Sequence, residues 1–309
     1  MHRSGRLVPV RSTGTALCVA SAAAFGAMAV FGKLAYDEGV TVGTLLAVRF
    51  ALAAALFWAL VLLTGEHRQL RSLGRRDVSI ALALGAGGYA AQAGCFFAAL
   101  DRIDASLLSL LLYTFPSMVA VTAIALGRER ADARRLVALG LASGGLVLVM
   151  ATARAGALDA AGAALALGAA VVYTTYILSS QGIAGRVRPM LLSAIVCTGA
   201  ALTLTIGSAA LGELRPGDVT TAGWGWLLGI AVVSTVIAVS LFFAGLKRVG
   251  PTAASVLSTV EPVVTVVLAF LVFGELLGAL QLLGGAFVIA AVIVLARHRP
   301  HDLPEGAPA

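Results

Sequence analysis

Three ionisable side chains fall inside long apolar runs of this sequence: Lys33, Arg49 and Glu261. If those runs cross a bilayer as helices, a charge near mid-span costs about 2.5–3.5 kcal/mol on insertion scales, so each needs a partner or a wet cavity. Glu261 reads as the deepest, at the middle of its run and directly before Pro262. At a helical 100° per residue, Ser255, Ser258, Glu261, Pro262 and Thr265 share one face, while Val263, Val267 and Phe270 lie on the other. A polar stripe on a mid-membrane helix faces a cavity rather than lipid. Pro262 has no N–H, which frees the carbonyl near residue 258 to accept another hydrogen bond. Desolvation at that depth favours the neutral carboxylic acid, so Glu261 is placed to exchange a proton. The plainer alternative is a structural glutamate that pairs with Arg49 or caps a freed backbone group.

Arg49 sits two turns inside the second run, where its planar fork could take a substrate carboxylate bidentately or hold two helices together. Lys33 lies within a turn of the end of the first run and can reach the interface. Around these, further candidates on the apolar runs are Phe25, Met28, Tyr89, Gln92, Tyr113, Tyr173, Tyr176 and Thr235. With Arg49, Ser258 and Glu261 they form the candidate substrate-binding set, although an aromatic in an apolar bundle more often packs than binds.

The chain that positions them is 60% hydrophobic and 12% charged, against about 25% charged residues in an ordinary soluble domain. Its apolar runs are long enough to cross about 30 Å of hydrocarbon as helices and do not alternate as barrel strands do. The fold class expected is an all-α membrane protein with spans near 15–35, 42–64, 78–100, 104–126, 133–152, 157–179, 189–211, 223–246, 251–273 and 277–296. The basic start at 1–14 followed by an apolar run resembles a leader peptide, but its removal would leave the first half one helix short. Residues 300–309 read as a disordered tail.

The stretch 96–129 recurs as 242–275, with 11 identities over 34 positions and Phe96, Pro116 and Glu129 falling on Phe242, Pro262 and Glu275. So long a period marks a duplicated half rather than a solenoid unit: a first repeat over 1–152 and a second over 153–299. Five helices per half is an odd number, so the second half enters the membrane with opposite polarity. Ten helices as two inverted five-helix repeats is an architecture of alternating-access transporters.

Orientation follows from the basic residues. With a cytoplasmic N-terminus, inside segments hold Arg3, Arg6, Arg11, Arg68, Arg71, Arg75, Arg76, Arg128, Arg130, Arg134, Arg135, Arg186, Arg188, Lys247, Arg248, Arg297 and Arg299. Outside loops hold only Arg102, Arg154 and Arg215, which places both termini in the cytoplasm. The net charge of +7 is therefore a topology signal, not a nucleic-acid surface.

Residues 15–296 resemble the EamA-like transporters of the drug/metabolite transporter superfamily. The resemblance is carried by Glu261-Pro262, Gly274-Glu275, Gln281 and Gly284 in the second repeat, and by Arg49-Phe50, Pro116 and Glu129 in the first. Arg128 stands where the first repeat usually has glycine. The resemblance implies a secondary transporter of the bacterial inner membrane, commonly an exporter of amino acids or other small metabolites. Expected partners are a small-molecule substrate, the lipid bilayer and protons as a candidate coupling ion, with no cofactor and no nucleic acid. Rival readings are a multidrug or uptake carrier, or an intramembrane enzyme acting on lipid. The enzyme would need clustered nucleophiles or acid pairs at one depth, and Glu261 stands alone. Cys18, Cys95 and Cys197 form no CxxC, and no metal site is expected. Gly85-Ala-Gly-Gly-Tyr-Ala has a dinucleotide-like spacing but follows no strand, so it carries no such reading.

Overall fold

The structure is a computed structural model that describes residues 7–127, 133–151, 159–250, 254 and 257–296. Glu129, Arg128, Ser255 and the tail 300–309 lie outside the described residues. Among the described residues there are helices and turns and no strand.

In chain order the main helices are α1 (Leu7–Asp37), α2 (Val42–Leu63), α3 (Arg75–Leu100), α4 (Ala105–Ala125), α5 (Ala133–Ala151), α6 (Ala160–Ala184), α7 (Pro189–Ala210), α8 (Thr221–Val249), α9 (Val260–Phe273) and α10 (Ala279–Ala296). Local chemistry sets their ends. The Thr41 hydroxyl accepts from the Thr44 amide to cap α2, and the Asp159 carboxylate accepts from Ala161 and Gly162 to cap α6. Hydrogen bonds from those amides, with Arg102 3.1 Å away, hold the Asp159 carboxyl below its usual range. Left-handed glycines end α4 and α9 at Gly127 (φ 68°) and Gly274 (φ 69°).

Seven helices among the described residues are long and apolar enough to cross a membrane, and three shorter apolar helices fall at Leu136–Leu148, Val260–Phe273 and Ala279–Val294. Leu63, Val147, Ile206 and Leu271 are each more than 60% exposed, a surface that a bilayer covers without cost.

Three helices are irregular where a uniform span was expected. The stretch Leu84–Tyr89 of α3 and the stretch Val232–Ile237 of α8 are π-helical turns. Helix α4 breaks at Tyr113–Thr114 and restarts with Pro116 in its new first turn, where the missing N–H breaks no helix bond. Pro262 also stands in the first turn of α9, so Glu261 lies in that turn and not at the helix middle. Helix α9 is only 14 residues, about 21 Å at 1.5 Å per residue, and residues 257–258 before it are also helical.

Packing follows one scheme in both parts of the chain. Helix α1 lies against α8 and α9, while α6 lies against α3 and α4; α2 pairs with α7, α4 with α9 and α5 with α10. At one end of the bundle, Arg102 meets Asp159, Thr44 accepts from the Arg215 amide, and Glu38 accepts from the Thr220 hydroxyl. At the other end, Gln69 joins the loop before α7, Asp77 pairs with Arg186, and Gly14 abuts Val249. Gly85 serves packing: a Cβ there would strike the Val196 carbonyl, and one at Gly199 would strike that of Leu82. Backbone-to-backbone contact of α3 with α7 needs both glycines.

Candidate functional site

Arg49 is 2% exposed, at the centre of the bundle. Its Nε donates to the Thr235 hydroxyl at 3.2 Å, and its guanidinium carbon lies 4.8 Å from the Phe50 ring centre and 5.2 Å from that of Phe97. Cation–π contact offsets part of the desolvation cost. Among the described residues, no carboxylate forms an ion pair with it, and the expected alternative of an Arg49–Glu261 pair is not found.

Both π-turns converge on this group. The turn in α8 carries Thr235, whose hydroxyl also reaches back to the Ile230 carbonyl at 3.0 Å, five residues earlier. The turn in α3 ends on Tyr89, which stands beside the guanidinium with its ring edge-on to Phe50 at 4.9 Å. A π-turn inserts one residue and rotates the rest of the helix by about a quarter turn, which is how it re-aims side chains at functional sites.

Glu261 is partly buried, and its Oε2 lies 2.9 Å from the Tyr113 hydroxyl. The same hydroxyl lies 2.7 Å from the Ser258 carbonyl, the group that Pro262 leaves without its helical donor. A phenol has one proton to donate. If Tyr113 gives it to Ser258, the Tyr113 oxygen can only accept from Glu261, and the carboxyl must then carry a proton. An ionised Glu261 would compete with Ser258 for that single donor. The geometry is fully satisfied only with a neutral acid.

An aromatic ladder joins the two groups. Ring centres run from Phe50 to Tyr89 (4.9 Å), Tyr176 (5.9 Å), Tyr173 (6.4 Å), Phe115 (4.5 Å) and Tyr113 (5.8 Å). Four of the chain's five tyrosines stand in it. Of the sequence candidates, Arg49, Tyr89, Thr235, Tyr173, Tyr176, Tyr113, Ser258 and Glu261 thus form one connected set. Phe25, Met28 and Gln92 are partly buried on α1 and α3, and among the described residues no hydrogen bond or ring contact links them to that set. Beside the ladder, a crevice of about 350 Å3 between α4, α5 and α6 is lined by Thr114, Ser117, Met118, Leu146 and Thr174 among others. The Ser117 hydroxyl is buried there without a partner.

A second cluster closes one end of the bundle, and sequence reasoning did not join its members. Glu275 accepts from the amides of Ala105 and Ser106 at 3.1 and 3.0 Å, from the Ser106 hydroxyl at 2.8 Å, and pairs with Lys33 at 2.8 Å. Burial works to raise the Glu275 carboxyl, but Lys33 and the Ser106 donors outweigh it and hold it below its usual range. Lys33 therefore does not simply reach for solvent; it also lies 3.5 Å from Asp104 and over the Phe273 ring. The one available signal was the recurrence of glutamate at the end of both copies of the repeat.

The sequence profile of the EamA-like transporter family matches residues 12–151 and again 160–297. The uncharacterised transporter YcbK of Bacillus subtilis is 28% identical over 293 residues, covering 90% of this chain and 91% of that protein. An uncharacterised transporter of Archaeoglobus fulgidus is 28% identical over 281 residues, covering 91% and 95%. The threonine/homoserine exporter RhtA of Escherichia coli is 33% identical over 138 residues, less than half of either chain (43% and 44%). A protein of solved crystal structure superposes with a TM-score of 0.63 at 18% identity, over 93% of this chain and all of the other. At that identity the likeness concerns the fold alone.

Proposed function

The chain belongs to the EamA-like transporter family, and from that premise we propose a secondary active exporter of a small polar metabolite such as an amino acid. The observation that carries this reading is the buried Arg49 guanidinium, with no carboxylate partner among the described residues, at the junction of both π-turns. A cation in such a place is expensive unless something supplies a negative charge during the working cycle. A substrate carboxylate supplies it, held bidentately, while Tyr89 and Thr235 offer hydroxyls to the remaining polar groups. The partial likeness to a threonine/homoserine exporter agrees with a substrate of this class.

In this reading the halves 1–152 and 153–299 are inverted five-helix repeats in the bacterial inner membrane, with both termini cytoplasmic. The exchange of packing partners between α1 and α6 supports it, as does the gathering of basic residues at one end. Each ionisable group at the centre is tied to the other half through a hydroxyl: Arg49 to Thr235, and Glu261 to Tyr113. Rocking of one half against the other breaks both ties. Glu261 can then release a proton when Tyr113 withdraws and regain it when the contact reforms, which couples solute movement to a proton gradient.

A multidrug carrier is the second reading, favoured by the largely apolar crevice between α4, α5 and α6. Counterflow in liposomes separates them. Purified protein preloaded with unlabelled threonine, homoserine or a cationic dye is offered the labelled solute outside. Exchange of amino acid and not dye supports the proposal; exchange of dye alone supports the second reading; no flux but a lipid-derived product would point to an enzyme.

A further inference from the structure

At the end of α2, the left-handed Gly65 turns the chain into a short 3-10 helix, Glu66–Arg71, that lies against the loop before α7. The Gln69 side-chain amide fastens the two. Its nitrogen donates to the Arg186 carbonyl at 3.0 Å, and its oxygen accepts from the Arg188 amide at 2.9 Å. Between them is an open pocket of about 730 Å3, with His67, Arg68, Gln69, Ser72 and Arg188 on its polar side and Leu62 and Leu63 on its apolar lip.

The charges around it are unequally satisfied. Arg186 is paired with Asp77 at 2.8 Å, but among the described residues neither Arg68 nor Arg188 forms an ion pair. Glu66 is on the same turn but does not line the pocket. Arg188 is also the N-cap residue of α7, with no side-chain cap, so the helix presents its positive end at the same place. The Nδ1 of His67 is buried without a partner. Alongside stand Leu62 and Leu63, 61% and 84% exposed.

We propose that this pocket binds the headgroup of an anionic phospholipid, its phosphate between Arg68 and Arg188 and its acyl chains over Leu62 and Leu63. Two guanidiniums and a helix N-terminus select a negatively charged phosphate. The apolar lip selects a phosphate that is attached to hydrocarbon over one free in solution. The bound lipid bridges the segment after α2 and the segment before α7, so it holds together two elements that come from different halves of the chain. The inference rests on membrane embedding and not on which solute is carried.

The test uses the full chain purified in detergent, with melting temperature read after adding dioleoylphosphatidylglycerol, dioleoylphosphatidylcholine or inorganic phosphate. Binding to the folded state raises the transition by mass action. The phosphatidylglycerol sample should melt several degrees higher, with no comparable shift from the other two. The Arg68→Gln/Arg188→Gln variant should lose most of that increment, and each single variant part of it; both side chains are exposed, so folding is preserved. The control is Arg75→Gln/Arg76→Gln, which removes the same charge from exposed positions at the same end but outside the pocket, and should keep the increment. Equal losses in the two double variants would mean diffuse attraction and overturn the site. An equal shift with phosphatidylcholine or with inorganic phosphate would overturn the anionic lipid as occupant.

Discussion

Replacing Glu275 by glutamine isolates the charge that closes one end of the bundle. The native carboxylate is 7% exposed, and its four contacts reach α1 through Lys33 and the start of α4 through Ala105 and Ser106. Glutamine keeps the shape and one accepting oxygen, but loses the ion pair and the charge assistance to two amides. A hydrogen bond to a charged group contributes about 1.5–3 kcal/mol, and Lys33 can still turn to Asp104, so Glu275→Gln should cost about 1–3 kcal/mol. Glu275→Ala, which also strips the acceptor from two helix-end amides and leaves Lys33 only the exposed Asp104, should cost more, about 3–5 kcal/mol. The assay is thermal unfolding of parent and variant across pH. Because the folded carboxyl lies below its usual range, its stabilisation is complete above the ordinary glutamate value of about 4.3 and is lost as pH falls from there through the folded value. The gap between parent and Glu275→Gln should therefore be constant from neutrality to mild acid and close on further acidification. An equal melting temperature at neutral pH, or a gap that widens in acid, would refute the assigned role.

Arg49→Lys should fold, since Thr235 can still accept from an ammonium, yet weaken substrate binding at least tenfold because the planar fork is gone; unchanged affinity in a ligand-protection assay would leave Arg49 a structural role. Tyr113→Phe leaves the Ser258 carbonyl without its donor and the neutral Glu261 without its acceptor, and should lower stability by about 1–3 kcal/mol. The same variant should alter the pH profile of transport, and an unaltered profile would separate Tyr113 from coupling. Reporter fusions in the 65–77 loop and at the C-terminus should both report the cytoplasm, and a periplasmic C-terminus would break the inverted-repeat account.

The apolar helices are readable in the sequence because membrane helices must satisfy their backbone internally, so hydrophobic runs mark them; among the described residues, seven of the expected runs are helices long and apolar enough to cross a membrane. The repeat is readable too, through residues such as Pro116 and Pro262. The π-turns in α3 and α8 were not legible, since Gly85-Ala-Gly-Gly and Val-Val-Ser-Thr have no composition that distinguishes a π-turn from an α-turn. The site followed only in part. Arg49, Tyr113 and Glu261 stand out by type, and the loss of an amide at Pro262 points to the Ser258 carbonyl. Their partners depend on which helices touch, so Thr235 for Arg49 and Tyr113 for Glu261 could not be paired from one chain alone. The Lys33–Glu275 contact joins residues 242 positions apart and escaped for the same reason.

The proposed cycle turns on Glu261 carrying the proton that drives the solute. Glu261→Gln fixes the neutral form that the Tyr113–Ser258 geometry calls for, and the amide can still donate to the Tyr113 oxygen. The direct measurement is made on one proteoliposome preparation, with labelled threonine or the solute returned by counterflow: exchange without a gradient, then accumulation under an imposed pH gradient. Glu261→Gln should exchange label as the parent does but no longer accumulate it when the gradient is applied. Accumulation that still follows the pH gradient in the glutamine variant would contradict this role for Glu261.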